Sequence, residues 1–287
     1  MIKTRKIHKT FKSKPTLEGA GVHLHRAFGS SNDARIFDPF LLLDDFRNDN
    51  PNDYAAGFPW HPHRGIETIT YMLDGSVEHS DSMGNTGVIA PGDVQWMTAG
   101  SGIVHQEMPG GDESGRMGGF QLWANLPASH KMMEPRYRGI EARDIPETRL
   151  QGGGTAKVIC GEIEGVRGPV RDVVTDPEYL DVSLPPRSTF SRRVRRGHTV
   201  FAYVIEGSGL FEPDGDPFGS ESLVIFDNGD ELAVSAGAEG VRFLLVSGAP
   251  IGEPVAWWGP IVMNTQEELR VAFDEYERGT FLKHGRK

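Results

Sequence analysis

The stretch Tyr71-Met72-Leu73-Asp74-Gly75 returns in altered form as Tyr203-Val204-Ile205-Glu206-Gly207, an offset of 132 residues. Gly92-Asp93 and Thr98-Ala99-Gly100 return as Gly229-Asp230 and Ser235-Ala236-Gly237, at an offset of 137. The added length fits the turn-rich Pro213-Asp214-Gly215-Asp216-Pro217. Each copy contains a strand that ends in a tight turn. Gly65 to Leu73 alternates apolar and polar residues and stops at Asp74-Gly75, a hairpin signal. Thr86 to Ala90, Val94 to Thr98 and Phe120 to Leu126 read as further strands, separated by Pro91-Gly92-Asp93 and Ala99-Gly100-Ser101-Gly102. The 36 glycines and 19 prolines punctuate the rest in the same way. The expected architecture is all-β, with two similar antiparallel β-barrel or jelly-roll domains. The stretch from Pro135 to Pro146 is polar and interrupted, which puts the boundary between about 130 and 150, so the expected domains are 1–135 and 136–287. A helix closes the second. Thr265 and Glu268 have capping-box spacing, Leu269, Ala272, Phe273 and Tyr276 mark an apolar face, and Gly279 is a stop.

The chemistry is concentrated in two short segments of the first copy. His61 and His63 lie two residues apart, as do His105 and Glu107. On a strand, residues i and i+2 share a face, so each pair aims at one spot. Three imidazoles and a carboxylate suit one divalent transition metal. Imidazole accepts iron, nickel, copper or zinc, and the added carboxylate favours non-haem Fe(II), with manganese and cobalt also open. His23-Leu24-His25 has the same spacing but no following Gly-x-Glu and no second pair, so it reads as a decoy. Glu67 follows His63 at a spacing at which many metal-binding barrels place a ligand. Glu107 is expected to take the carboxylate role here, with Glu67 turned away or standing behind the ligands. The second copy offers an internal control. At the two offsets, His61, His63, His105 and Glu107 fall on Arg193, Arg195, Arg242 and Leu244. Arginine stays protonated and does not ligate cations, so the second domain is read as metal-free. Phe40, Phe58, Trp60, Trp96, Met97, Phe120 and Trp123 are expected to be core, some of them walling an apolar pocket above the metal. His8, His79, His130, His198 and His284 read as surface or structural positions, and Cys160 as a small buried hydrophobe.

Composition narrows the class further. Lys and Arg total 30 against 40 Asp and Glu, a net charge of −10 that disfavours phosphate-driven nucleic-acid binding. Cys160 is the single cysteine, so no internal disulfide is available and an oxidising compartment is not indicated. No run approaches the roughly 18–20 apolar residues of a membrane span. The expectation is a soluble cytoplasmic protein without direct nucleic-acid or membrane contact.

Several segments together resemble the pirin family of bicupin proteins. They include Asp38-Pro39-Phe40-Leu41-Leu42-Leu43-Asp44-Asp45-Phe46, Phe58 to Thr68 around His61-Pro62-His63-Arg64-Gly65, and Pro91 to Gly100. His105-Gln106-Glu107-Met108-Pro109, Gln121-Leu122-Trp123-Ala124-Asn125-Leu126 and Gly259-Pro260-Ile261-Val262-Met263-Asn264-Thr265 complete the set. The resemblance implies two cupin domains with iron in the N-terminal one, held by His61, His63, His105 and Glu107. It implies quercetin 2,3-dioxygenase activity, with a flavonol and O2 as substrates and carbon monoxide released as the ring opens. Glu107 would then be both ligand and catalytic base. The alternative it implies is a co-regulator whose metal or redox state alters a surface for a protein partner. Gly100 and Glu107 depart from the general cupin pattern, and the Glu departure is shared by pirins.

Overall fold

The computed structural model describes residues 2–284. Contacts divide the chain into two compact units: residues 14–142 with 251–287, and residues 1–13 with 143–250. The linear boundary expected at 135/136 places both ends of the chain in the wrong unit. Ile7–Lys12 is the edge strand of the second unit, pairing antiparallel with Ser222–Phe226. The C-terminal helix belongs to the first. Its Leu269 and Ala272 bury against Ala256, Ile261, Met263 and Phe281 of the returning segment. Burial of the helix's apolar face decides where it docks, and sequence order does not reveal the surface that offers it.

The metal-candidate unit has two larger sheets and the two-stranded hairpin Ala256–Trp258 with Ile261–Met263. One has seven strands in the order Arg136–Ile140, Val94–Thr98, Ile66–Asp74, Gly118–Asn125, Phe40–Asp45, Val22–Phe28 and Lys14–Glu18. The other has four, in the order Phe58–His63, Ile103–Gly110, Ser76–Asp81 and Thr86–Ile89. Val22, Leu24, Phe46, Met72, Val77 and Met117 gather in one apolar cluster of this unit. A second forms around Leu41, Ile66, Met97, Ile103 and Val262.

The other unit is built on a nine-stranded sheet that runs from Ile7–Lys12 to Glu147–Arg149, with a small hairpin of Glu162–Ile163 and Val166–Arg167. Its longest strand, Glu231–Gly248, pairs with Thr189–Arg193 through its first part and with Glu178–Leu184 through its last. It thereby turns the corner typical of a sandwich strand that changes sheets. Phe190, Val204, Phe211, Leu232, Phe243 and Leu245 are part of one continuous apolar cluster there. Among the described residues, these sheets are jelly-roll layers rather than closed barrels.

The repeat is visible in the backbone. Gly75 and Gly207 both sit at positive φ, 67° and 70°. A Cβ at either would meet a carbonyl oxygen, at 2.5 Å and 2.2 Å, so only glycine fits. The second offset needs correction. Arg242 and Leu244 lie on the half of the long strand that faces Glu178–Leu184. By pairing, the residue opposite Arg193 is Glu231. The second copy is shorter here, with Glu231 38 positions after Arg193 where His105 comes 44 after His61, so the offset read from turn motifs does not carry over to the ligand strand. Among the described residues, no helix is long and apolar enough to cross a membrane. The capping box is present at the C-terminal helix Gln266–Glu277, with Thr265 accepting from the Glu268 amide and Glu268 accepting from the Thr265 amide.

Candidate metal centre

Strands Phe58–His63 and Ile103–Gly110 pair antiparallel, with His105 directly opposite His61. Strand alternation puts His61, His63 and His105 on the same inner face. Their potential ligand atoms all lie within 4.8 Å of one another, and among the described residues no other group of three or more His, Cys, Asp or Glu does so. The three ring centroids are 4.3 to 5.0 Å apart. His63 is 2% exposed and His105 not at all.

The hydrogen bonds fix which nitrogens face inward. His61 Nδ1 lies 2.8 Å from the Pro59 carbonyl, and His63 Nδ1 lies 3.1 Å from the Pro260 carbonyl. A carbonyl oxygen only accepts, so each Nδ1 carries the proton and each Nε2 keeps its lone pair. These two Nε2 atoms are 3.1 Å apart. Two lone pairs at that distance repel unless a cation is shared between them. Neither ring nitrogen of His105 has a protein partner, although both are buried. Buried polar atoms without partners are uncommon and call for an occupant. Burial holds the pKa of His63 well below the usual imidazole value, reinforced by His61 and opposed by the Pro260 carbonyl. Burial does the same to His105, helped by His63, His61 and His79. Neutral imidazoles are the form that ligates. The donor set therefore fits a metal ion, and His61, His63 and His105 are the residues positioned to hold it.

Glu107 stands apart from this cluster. The pairing register slips between His105 and Glu107, so that Glu107 faces Phe58. Pro59 lies at this irregularity, where a residue lacking an N–H is tolerated. The carboxylate is outside the group of ligand atoms and reaches the cavity instead. Thr70 donates to Gln121 Oε1 at 2.6 Å and lies 3.3 Å from Glu107 Oε1. One hydroxyl proton serves one acceptor at a time, and the shorter contact holds it. Among the described residues no cation pairs with Glu107. Its role as fourth ligand and base is taken up below as a proposal. Glu67 points the other way. Strand parity puts Thr70 on the cavity side and Glu67 on the opposite face, where it accepts from the Thr98 hydroxyl at 2.6 Å. Burial raises its pKa.

A cavity of about 580 Å³ opens above His61 and His63. This volume lies in the range of small-molecule sites. Phe46, Phe58, Trp123 and Trp257 provide aromatic lining. At its polar end, Arg26 makes two hydrogen bonds to Asp44, at 2.8 and 2.7 Å, and pairs with Glu18 at 2.8 Å. Of the expected apolar residues, Phe58 and Trp123 line the cavity, while Phe40, Trp96, Met97 and Phe120 are core. Trp60 alternates away from His61 and is exposed.

His79, expected at the surface or in a structural role, is fully buried. It lies 3.3 Å from Asp81 and its ring is 5.3 Å from that of His105. The sequence reading missed Trp257, Pro260, Thr70 and Gln121. Of these, Gln121 and Pro260 lay in quoted family segments but carried no spacing signal. At the expected decoy, His23 is exposed and lies 4.0 Å from Asp53. We expect the His23→Ala/His25→Ala double variant to bind metal as the parent does, measured by elemental analysis after dialysis. Loss of metal would mean that the wrong pair had been chosen.

The family described as Pirin matches residues 21–124, and the Pirin C-terminal cupin domain matches residues 179–282. A Caulobacter vibrioides protein named pirin-like protein is 48% identical over 278 residues, covering 96% of this chain and 99% of its own length. A Pseudomonas aeruginosa protein provisionally named quercetin 2,3-dioxygenase is 43% identical over 284 residues, covering 97% of this chain and 99% of its own. The crystal structure of quercetin 2,3-dioxygenase from Acinetobacter baumannii matches with a TM-score of 0.89 at 33% identity, covering 97% of this chain and 99% of that one.

Proposed function

The chain belongs to the pirin family, and from that membership and the three-histidine cluster we propose that it is a metal-dependent dioxygenase that opens the ring of quercetin-type flavonols. The observation that carries this reading is the convergence of three imidazoles, two of them buried, beside an aromatic-walled cavity that His61 and His63 line. Fe(II) is the metal proposed, because such ligands suit redox-active non-haem iron.

When bound, the metal supplies Lewis acidity toward the flavonol hydroxyl and redox access to dioxygen. The remaining work falls to the chain. Trp123, Trp257, Phe46 and Phe58 offer flat apolar surface to a planar ligand and exclude water from one end of the cavity. The acceptor-rich Glu18–Arg26–Asp44 end suits a neutral ligand with phenolic hydroxyls. Glu107 is proposed as a fourth ligand and as the base that takes the substrate hydroxyl proton, since its carboxylate borders the cavity without a cationic partner.

The test is direct. The purified protein is loaded with Fe(II), its metal content measured, and quercetin supplied in air. Loss of flavonol absorbance with stoichiometric release of carbon monoxide is expected. A metal-loaded protein that releases none is not a flavonol dioxygenase.

A further inference from the structure

Three consecutive residues at the end of the first ligand strand are held by a segment nearly two hundred positions away. His63 donates from Nδ1 to the Pro260 carbonyl at 3.1 Å. The Arg64 carbonyl accepts from the Val262 amide at 3.1 Å. The Arg64 side chain donates to the Phe281 carbonyl at 2.7 Å, pairs with Glu275 at 2.8 Å and lies over the Phe281 ring. The Gly65 and Val262 carbonyls share the buried Lys131 ammonium, at 2.9 and 3.0 Å. A Cβ on Gly65 would sit 2.0 Å from the Val262 oxygen, so the close approach requires glycine there.

The returning segment also reaches the cavity. Trp257, Trp258, Gly259 and Pro260 line it. Trp257 Nε1 donates to the Gly259 carbonyl at 2.8 Å, tying the turn that precedes Pro260. The Trp257 ring lies 6.1 Å from Trp123, which in turn lies 5.1 Å from His63.

We propose that the turn Trp257–Pro260 is the outer support of the metal centre, its Pro260 carbonyl fixing the Nδ1–H tautomer of His63 and aiming Nε2 at the other two imidazoles. This rests on the metal site proposed above. A ligand imidazole has two nitrogens and a free ring torsion. An acceptor behind one nitrogen selects the tautomer and the orientation before metal arrives. Without it, metal binding must also order the ring. Trp257 and Pro260 are thus positioning residues that act through His63.

Two variants of the full chain test this. Trp257→Phe keeps an aromatic wall and removes the N–H that ties the turn. Pro260→Gly keeps the carbonyl and frees its direction. Zn(II) affinity is measured by chelator competition. The His63 imidazole tautomer is read by ¹⁵N–¹H NMR of the Zn-loaded protein, and thermal unfolding of the metal-free protein monitors folding. The parent should show a protected Nδ1–H on His63. In both variants that signal should weaken, and Zn(II) affinity should fall about 10–100-fold, the usual effect of losing such a partner. Apo unfolding should shift little, because neither change empties the core. Parent protein that carries the His63 proton on Nε2, or variants whose affinity stays within about twofold of the parent, would overturn the inference. Parent protein that binds no Zn(II) would instead overturn the metal site itself.

Discussion

His105→Ala is expected to leave the chain folded and without bound metal. His105 is fully buried, and its ring lies 4.3 Å from His61 and 5.0 Å from His63. Truncation removes one of only three convergent imidazoles, and no other described residue joins that group. The effect on the metal-free fold should be small, because two terms oppose. The void left by the ring costs on the order of 2–4 kcal/mol, as in buried large-to-small changes. Removing two buried nitrogens that lack partners returns about 1–3 kcal/mol for each unsatisfied group. The holo protein behaves differently. Metal at 1,000 times its Kd stabilises a parent site by about 4 kcal/mol, and the variant forfeits this. Elemental analysis after dialysis should find a stoichiometric metal in the parent and none in the variant. Added metal should raise the parent's Tm and leave the variant's unchanged. A variant that keeps its metal would remove His105 from the ligand set.

Much of this site was legible because strand parity is a strictly local rule. His61 with His63, and His105 with Glu107, needed only a period of two to be placed on common faces. Thr265 and Glu268 were legible for the same reason, since a capping box spans four residues. Pairing across the chain was not. Nothing in the spacing states that His105 lies opposite His61, or that the register slips before Glu107 reaches its partner. That slip separates a correct face assignment from an assembled four-ligand set. Parity also explains Glu67. It stands one step out of phase with Thr68 and Thr70, so its carboxylate meets Thr98 rather than the histidines.

The parts that stayed hidden depend on long-range burial. The contact from His63 to Pro260 joins residues 197 positions apart. The exchange of chain ends between the units follows from which apolar face each terminal element covers. Ile7–Lys12 completes a sheet edge, and Leu269 with Ala272 covers the returning hairpin. A short apolar pattern announces that it will be buried, not by what. His79 shows the same limit. It has no spacing partner among the ligands, yet strand pairing sets it across from Glu107 and buries it beside His105.

Glu107→Gln is expected to keep a substantial part of the metal and lose most of the turnover. The three histidines form a ligand group without the carboxylate, so the amide need not hold the ion. Glutamine is close in size, still offers an oxygen, and can donate from its amide to the Thr70 hydroxyl oxygen, which lies 3.3 Å from Glu107. It is a poor base. General base catalysis contributes about 10²–10⁴-fold, so quercetin turnover per bound metal should fall by roughly that factor. The deficit should shrink as pH rises, because free flavonol then arrives with less of its proton and the missing base matters less. Metal content measured on the same sample separates the two roles proposed for this residue. Metal lost in proportion to activity would make Glu107 chiefly a ligand. Full activity per metal would exclude it as the base, and neither Glu67, on the opposite face, nor Thr70, whose proton is held by Gln121, is placed to substitute.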